Sequence, residues 1–173
     1  MSCPEDAPAL PLRILVVEDD PVSAHMVTHV LVRHGFAVTH AVDGREAIEI
    51  LEILPPVALM VLDLMLPLAS GFEIVERARA LPAWSKVPIV MVTAKSQESI
   101  VLRAFGAGVD EYLVKPIRPV ELLAKVQQLT GRTSAASLAS ASCEGSSLSG
   151  ASASALSGIG TILAAAFGAA MPT

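Results

Sequence analysis

Cysteine is scarce. Two residues in 173, Cys3 and Cys143, cannot build a disulfide framework and read as reduced thiols of a cytosolic protein. Basic charge is also short. Twelve Lys and Arg stand against seventeen Asp and Glu, and the net −5 argues against nonspecific nucleic-acid binding, which needs a basic face. All of that net charge falls in the first 131 residues, because Arg132 and Glu144 cancel in the remainder. Residues 1–11 are proline-rich and lack a basic start followed by an apolar core, so no signal peptide is expected. The most apolar stretch near the end, Gly158 to Met171, is shorter than the roughly 20 residues of a spanning helix, so no membrane span is expected. No glycine-rich phosphate loop follows the first apolar run. Glu18-Asp19-Asp20-Pro21 stands there instead and repels phosphate in the absence of metal, which counts against a flavin or nucleotide binder. Nothing after residue 131 carries a helix-turn-helix pattern or a basic stripe, so no direct DNA binding is expected.

What is present is alternation. Apolar runs near Leu12–Val17, Phe36–His40, Val57–Leu62, Val87–Val92 and Tyr112–Val114 read as strands buried on both faces. Helical segments separate them. The first opens at Asp20-Pro21, where Asp20 caps and Pro21 suits the first helical position, and it stops at Gly35. The second opens at Asp43, with Glu46 three residues on, in the manner of a capping box; Ser70-Gly71-Phe72-Glu73 repeats that spacing. The fourth runs from about Ser96 to Phe105 and stops at Gly106-Ala107-Gly108, and the fifth follows Pro119 and ends near Gly131. Five βα units predict an α/β fold, a doubly wound five-stranded parallel sheet with helices on both faces. The chain divides into an N-terminal arm over 1–11, a domain over 12–131 and an Ala/Ser/Gly-rich tail over 132–173. In residues 133–173, Ala, Ser and Gly supply 27 of 41 positions, a composition expected of a disordered end or a linker.

Acidic residues close two of the strand-like runs. Asp63 ends Val57–Leu62, and Glu18-Asp19-Asp20 ends Leu12–Val17. The carboxyl ends of strands line the ligand crevice of an open α/β sheet. Acids after strands one and three put that crevice where the flavodoxin-like strand order 2-1-3-4-5 has its switch point. Several carboxylates in one small volume raise one another's pKa unless a cation neutralises them, and hard oxygen ligands with open water positions suit Mg²⁺. His25 and His29, four apart, share a helix face; with no third ligand evident they read as part of a partner-facing surface. Trp84, in a proline-flanked loop, receives no role.

Taken together, residues 12–130 resemble the receiver domain of two-component response regulators. The resemblance rests on Glu18-Asp19 after strand one, Asp63 after strand three, Pro67 and Gly71 four and eight residues further, Thr93-Ala94 after strand four, Tyr112 in strand five, and Lys115-Pro116 after it. It implies that Asp63 is the phosphoacceptor, taking a phosphoryl group from a phosphohistidine of a sensor histidine kinase or a histidine phosphotransfer protein. It implies Mg²⁺ held directly by Asp19 and Asp63, by Glu18 through water and by the backbone carbonyl of Met65. Lys115 is the charge that meets the phosphoryl oxygens. Thr93 and Tyr112 form a switch, and the Lys-Pro bond of such domains is often cis.

The implied protein is not an enzyme beyond its own phosphorylation and dephosphorylation. It is cytoplasmic, a monomer or a weak phosphorylation-dependent dimer, and acts on a downstream protein target through the fourth helix, fifth strand and fifth helix. A stand-alone receiver is expected ahead of a receiver module of a larger relay or hybrid kinase with the tail as linker. A Mg²⁺-dependent aspartyl phosphatase is the third reading; such enzymes often place a second aspartate two residues after the first, where this chain has Met65. Met65 and Lys95, two residues past Asp63 and Thr93, depart from the commonest pattern. Val101 stands where DNA-binding regulators often carry a dimer-forming arginine.

Overall fold

The computed structural model describes residues 10–131. The expectations for the tail over 132–173, and for the arm up to residue 9, lie outside the described residues. Within them the chain runs β1 (Arg13–Val17), α1 (Pro21–Arg33), β2 (Ala37–Ala41), α2 (Gly44–Ile53), β3 (Leu59–Asp63), α3 (Gly71–Ala80), β4 (Ile89–Thr93), α4 (Glu98–Ala107), β5 (Glu111–Val114) and α5 (Pro119–Thr130). The five strands form one parallel sheet in the order β2-β1-β3-β4-β5, as the placement of the acids predicts.

Alternation along each strand divides the core between the two faces of the sheet. Leu15, Val17, Met60, Leu62, Ile89 and Met91 pack with α2, α3 and α4. Ile14, Val16, Leu59, Val61, Val90 and Val92 pack with α1 and α5. β3 and β4 are buried at every position, which is why their sequences read as unbroken apolar runs rather than alternating ones.

The helix starts follow their local chemistry. Asp20 accepts the Ser23 amide at the head of α1, with Pro21 next to it. Ser70 and Glu73 form a reciprocal capping box at α3. At α2 the box is displaced: Asp43 accepts the Glu46 amide, but the Glu46 carboxylate takes the amide of Val42 rather than that of Asp43. α4 starts two residues later than its sequence suggests and runs through Gly106 to a left-handed cap at Gly108, with no side-chain cap at its head. The first four strands likewise start one or two residues later than expected, whereas β5 starts one residue earlier, at Glu111. Val57 and Val87 are buried but precede the ladder, and Phe36, also buried, returns its amide to the Leu31 carbonyl at the end of α1. Apolar burial therefore extends beyond the ladder, and sequence hydrophobicity cannot separate the two.

Trp84 carries a structural role that the sequence reading left blank. It is 2% exposed and fills the core between α3 and β4. Beside it Arg79 donates to the carbonyls of Trp84, Ser85, Val87 and Gly108 and pairs with Asp110, which itself accepts the Ile89 amide. This tie fastens the amino ends of β4 and β5.

Candidate functional site

The carboxyl ends of β1, β3, β4 and β5 deliver Glu18 and Asp19, Asp63, Thr93 and Lys115 to one place. Glu18, Asp63 and Thr93 are buried, whereas Asp19 is exposed. Ligand oxygens of Glu18, Asp19 and Asp63 all lie within 4.8 Å of one another, the only such group of three among the described residues. The Lys115 ammonium sits between two of the acids, 2.6 Å from Asp63 Oδ2 and 2.7 and 2.8 Å from the Glu18 oxygens. The other Asp63 oxygen accepts the Met65 amide at 3.1 Å. Lys115 is placed by backbone as well: its amide donates to the Thr93 carbonyl, and the Lys115–Pro116 bond is cis, in keeping with the resemblance.

Gly71 allows this end to close. A Cβ there would stand 2.5 Å from the Asp63 carbonyl oxygen and 2.9 Å from the Leu64 Cα, so the head of α3 packs directly on the last residue of β3. The Gly71 amide donates to the Leu64 carbonyl. The eight-residue spacing from Asp63 to Gly71 is thus a packing requirement.

Burial pushes the Glu18 carboxyl above its usual range; Lys115 opposes this, and the Asp63 charge adds to it. For Lys115, burial works to lower the ammonium's pKa, but hydrogen bonds to Asp63 and Glu18 and their charges outweigh it, and the net direction is upward. Three carboxylates face one ammonium. That donor set, all hard oxygens with residual negative charge and one exposed member, fits a hydrated divalent cation such as Mg²⁺.

A relay of contacts leaves the site towards β5. The Thr93 hydroxyl accepts the Lys95 amide at 3.3 Å, and the Tyr112 hydroxyl donates to the Lys95 carbonyl at 2.7 Å. Tyr112 is buried, which together with the nearby Asp63 charge pushes its phenol up to about 12. The sequence-named Tyr112 is therefore already turned inward. Lys95 joins Thr93 to Tyr112 through its backbone, a role that side-chain identity alone could not show. His40, also unforeseen, reaches the Glu18 carbonyl at 2.9 Å through Nε2. His25 and His29 do share a face of α1, with ring centroids 6.1 Å apart, and no third ligand joins them among the described residues.

Comparison with known proteins gives a consistent answer. A family model described as the response regulator receiver domain matches residues 14–127. The DNA-binding response regulator MtrA of Mycolicibacterium smegmatis is 44% identical over 115 residues, which are 66% of this chain and 49% of that protein. The DNA-binding dual master transcriptional regulator RpaA of Synechocystis is 38% identical over 121 residues, 70% of this chain and 50% of that protein. Among solved structures, the receiver domain of sensor histidine kinase PA1611 from Pseudomonas aeruginosa, with a magnesium ion in its active-site cleft, matches with a TM-score of 0.65 and 30% identity, over 70% of this chain and 98% of that one.

The chain spans about half the length of the curated relatives it matches. The expectation of no direct DNA binding is corrected here, because those relatives are named as DNA-binding regulators. Net charge and the missing helix-turn-helix pattern describe these 173 residues, whereas in proteins twice as long a basic surface can lie outside the matched half. Among the described residues no helix is long and apolar enough to cross a membrane.

Proposed function

This chain belongs to the response regulator receiver domain family, and from that premise we propose that Asp63 accepts a phosphoryl group from a phosphohistidine on a sensor kinase or phosphotransfer protein. The observation that carries the reading is the Glu18–Lys115–Asp63 arrangement, with Asp19 and Thr93 at its edge. An Asp63 oxygen attacks phosphorus. A P–O bond forms as the P–N bond breaks, and the electron pair of that bond returns to the donor imidazole. Carboxylates are weak nucleophiles, so the rate comes from positioning and charge neutralisation. The Met65 amide orients Asp63, and Lys115 transfers from the carboxylate to the phosphoryl oxygens, aided by its flexible stem. Asp19, Asp63, the Met65 carbonyl and, through water, Glu18 would hold Mg²⁺, which would supply positive charge to neutralise the acids and the incoming phosphate.

The phosphoryl group then draws the Thr93 hydroxyl towards it. Because Thr93 bonds the Lys95 amide and Tyr112 bonds the Lys95 carbonyl, that movement reaches β5 and shifts a two-state equilibrium at the α4–β5–α5 surface. The chemistry is confined to the protein's own phosphorylation and dephosphorylation, and a kinase donor that draws on ATP places the chain in the cytoplasm. The DNA-binding relatives favour a second reading of the output, control of an assembly on DNA, over an output through protein contacts alone.

Intact-mass measurement with acetyl phosphate and Mg²⁺ tests the assignment. The native chain gains one phosphoryl group and Asp63→Asn gains none. Undiminished labelling of the variant overturns it.

A further inference from the structure

The loop from β3 to α3 holds a residue that neither backbone nor core accounts for. Leu68 has a φ of 71°, and it is the only non-glycine residue of positive φ among those described. The Ala69 amide donates to the Pro67 carbonyl at 2.9 Å across it, which makes a three-residue γ-turn of the positive-φ, strained kind. A branched, bulky side chain is disfavoured in that region, where glycine is at ease. Burial does not offset the strain, because Leu68 is 73% exposed.

The surrounding loop is held firmly. Leu64 is buried in the core, and Leu66 packs against it. The Gly44 amide at the head of α2 donates to the Pro67 carbonyl at 3.1 Å, and a Cβ on Gly44 would stand 2.1 Å from the Ala69 carbonyl oxygen. The strain is therefore imposed by well-determined neighbours, the condition under which such outliers persist at functional sites. The tip stands five residues after Asp63, on the loop whose Met65 amide orients the nucleophile and whose Met65 side chain is 59% exposed.

We infer that Leu68 is a contact residue for the protein that donates phosphate, setting which phosphohistidine proteins reach Asp63. The inference rests on the phosphoreceiver reading above. Asp63 is only 6% exposed, so a donor imidazole must enter the cleft, and the surface around the donor histidine must close on its rim. Leu68 offers that surface an apolar side chain on a rigid support. The matching partner presents its own apolar side chain beside its phosphohistidine. A small donor needs no such contact.

The test uses the full chain, phosphoramidate as a small donor with the same P–N bond, and a panel of autophosphorylated histidine kinase cores, of which the one transferring fastest to the native chain is kept. Leu68→Gly raises Tm by roughly 3–6 °C through relief of the turn. It leaves uptake from phosphoramidate within about twofold and lowers kcat/KM for the kinase about tenfold, mostly through KM, the size of one lost apolar contact. Leu68→Met restores kinase transfer.

Equal transfer to native and Leu68→Gly chains overturns the inference. So does a parallel fall with phosphoramidate, which marks a structural role, and so does uptake from phosphoramidate with none from any kinase. A native chain labelled by neither donor removes the phosphoreceiver reading itself.

Discussion

At the carboxyl end of the sheet, Glu18, Asp19 and Asp63 crowd one ammonium, and a leucine is held at positive φ beside them. At the amino end of β4 and β5, Arg79 shares one cation among four carbonyls and the Asp110 carboxylate, and Asp110 also receives a backbone amide. Both ends contain charge that is partly removed from water. One leaves like charges facing each other in a donor set that fits a cation; the other divides its charge among fixed acceptors until little remains to be answered. The same sheet thus separates a responsive end from a fastening end, as expected when local conflict is retained only where function needs it.

Breaking the fastening end produces the largest effect. Arg79→Ala strips donors from several partly buried carbonyls, at about 1–3 kcal/mol for each group left unsatisfied, and leaves Asp110 with only the Ile89 amide. We expect a loss of roughly 3 kcal/mol or more in denaturant unfolding, with phosphoryl uptake per folded molecule unchanged. A slower uptake in that variant would join the two ends and remove the distinction.

Gly71→Ala acts at the responsive end through shape. Its Cβ would displace the last residue of β3, an overpacking worth about 1–3 kcal/mol. Because that residue is the proposed phosphoacceptor, phosphoryl uptake should fall as well, which distinguishes it from Arg79→Ala. Parallel stability and activity assays on the two variants decide between them.

The smallest effect is in pH, with metal acting through the same group. Glu18 holds its proton more tightly when folded than when unfolded, because it is buried, so in chelator the folded state binds more protons over a window that opens at its ordinary value of 4.5 and closes at its raised folded value. Stability contributed by protonated Glu18 is present below that window and is lost as pH rises through it. Glu18→Gln removes this slope. Mg²⁺ at a hundred times its Kd should stabilise the native chain by about 2.7 kcal/mol at neutral pH, and Glu18→Gln by less. Thermal melts with and without chelator check both; an unchanged slope in the variant assigns the pH dependence elsewhere.

Much of this was legible in the sequence. Two apolar runs that end in acids matched the switch point of the flavodoxin-like order 2-1-3-4-5, which is the order the sheet has. Asp20 and Ser70 gave helix starts, because capping is local chemistry. Glu18, Asp19, Asp63, Thr93 and Lys115 were all named, and the fold brings all five together. What was not legible depends on distant atoms. The Arg79 tie runs 29 residues to Gly108 and ends on carbonyls that every residue possesses. Trp84 sits in a turn, where no periodicity announces burial. The left-handed φ of Leu68 follows from how Gly44 and Gly71 hold its loop, and the letter itself predicts the opposite.

The most direct test of the contrast between the two ends is an amide NMR fingerprint of the full chain in Mg²⁺, before and after beryllofluoride, a phosphoryl mimic. We predict shifts centred on Asp63, Thr93 and Lys115 that continue through Lys95 and Tyr112, with Arg79, Gly108 and Asp110 nearly still. Shifts that leave the acidic end untouched, or that spread equally to the Arg79 tie, would contradict the account.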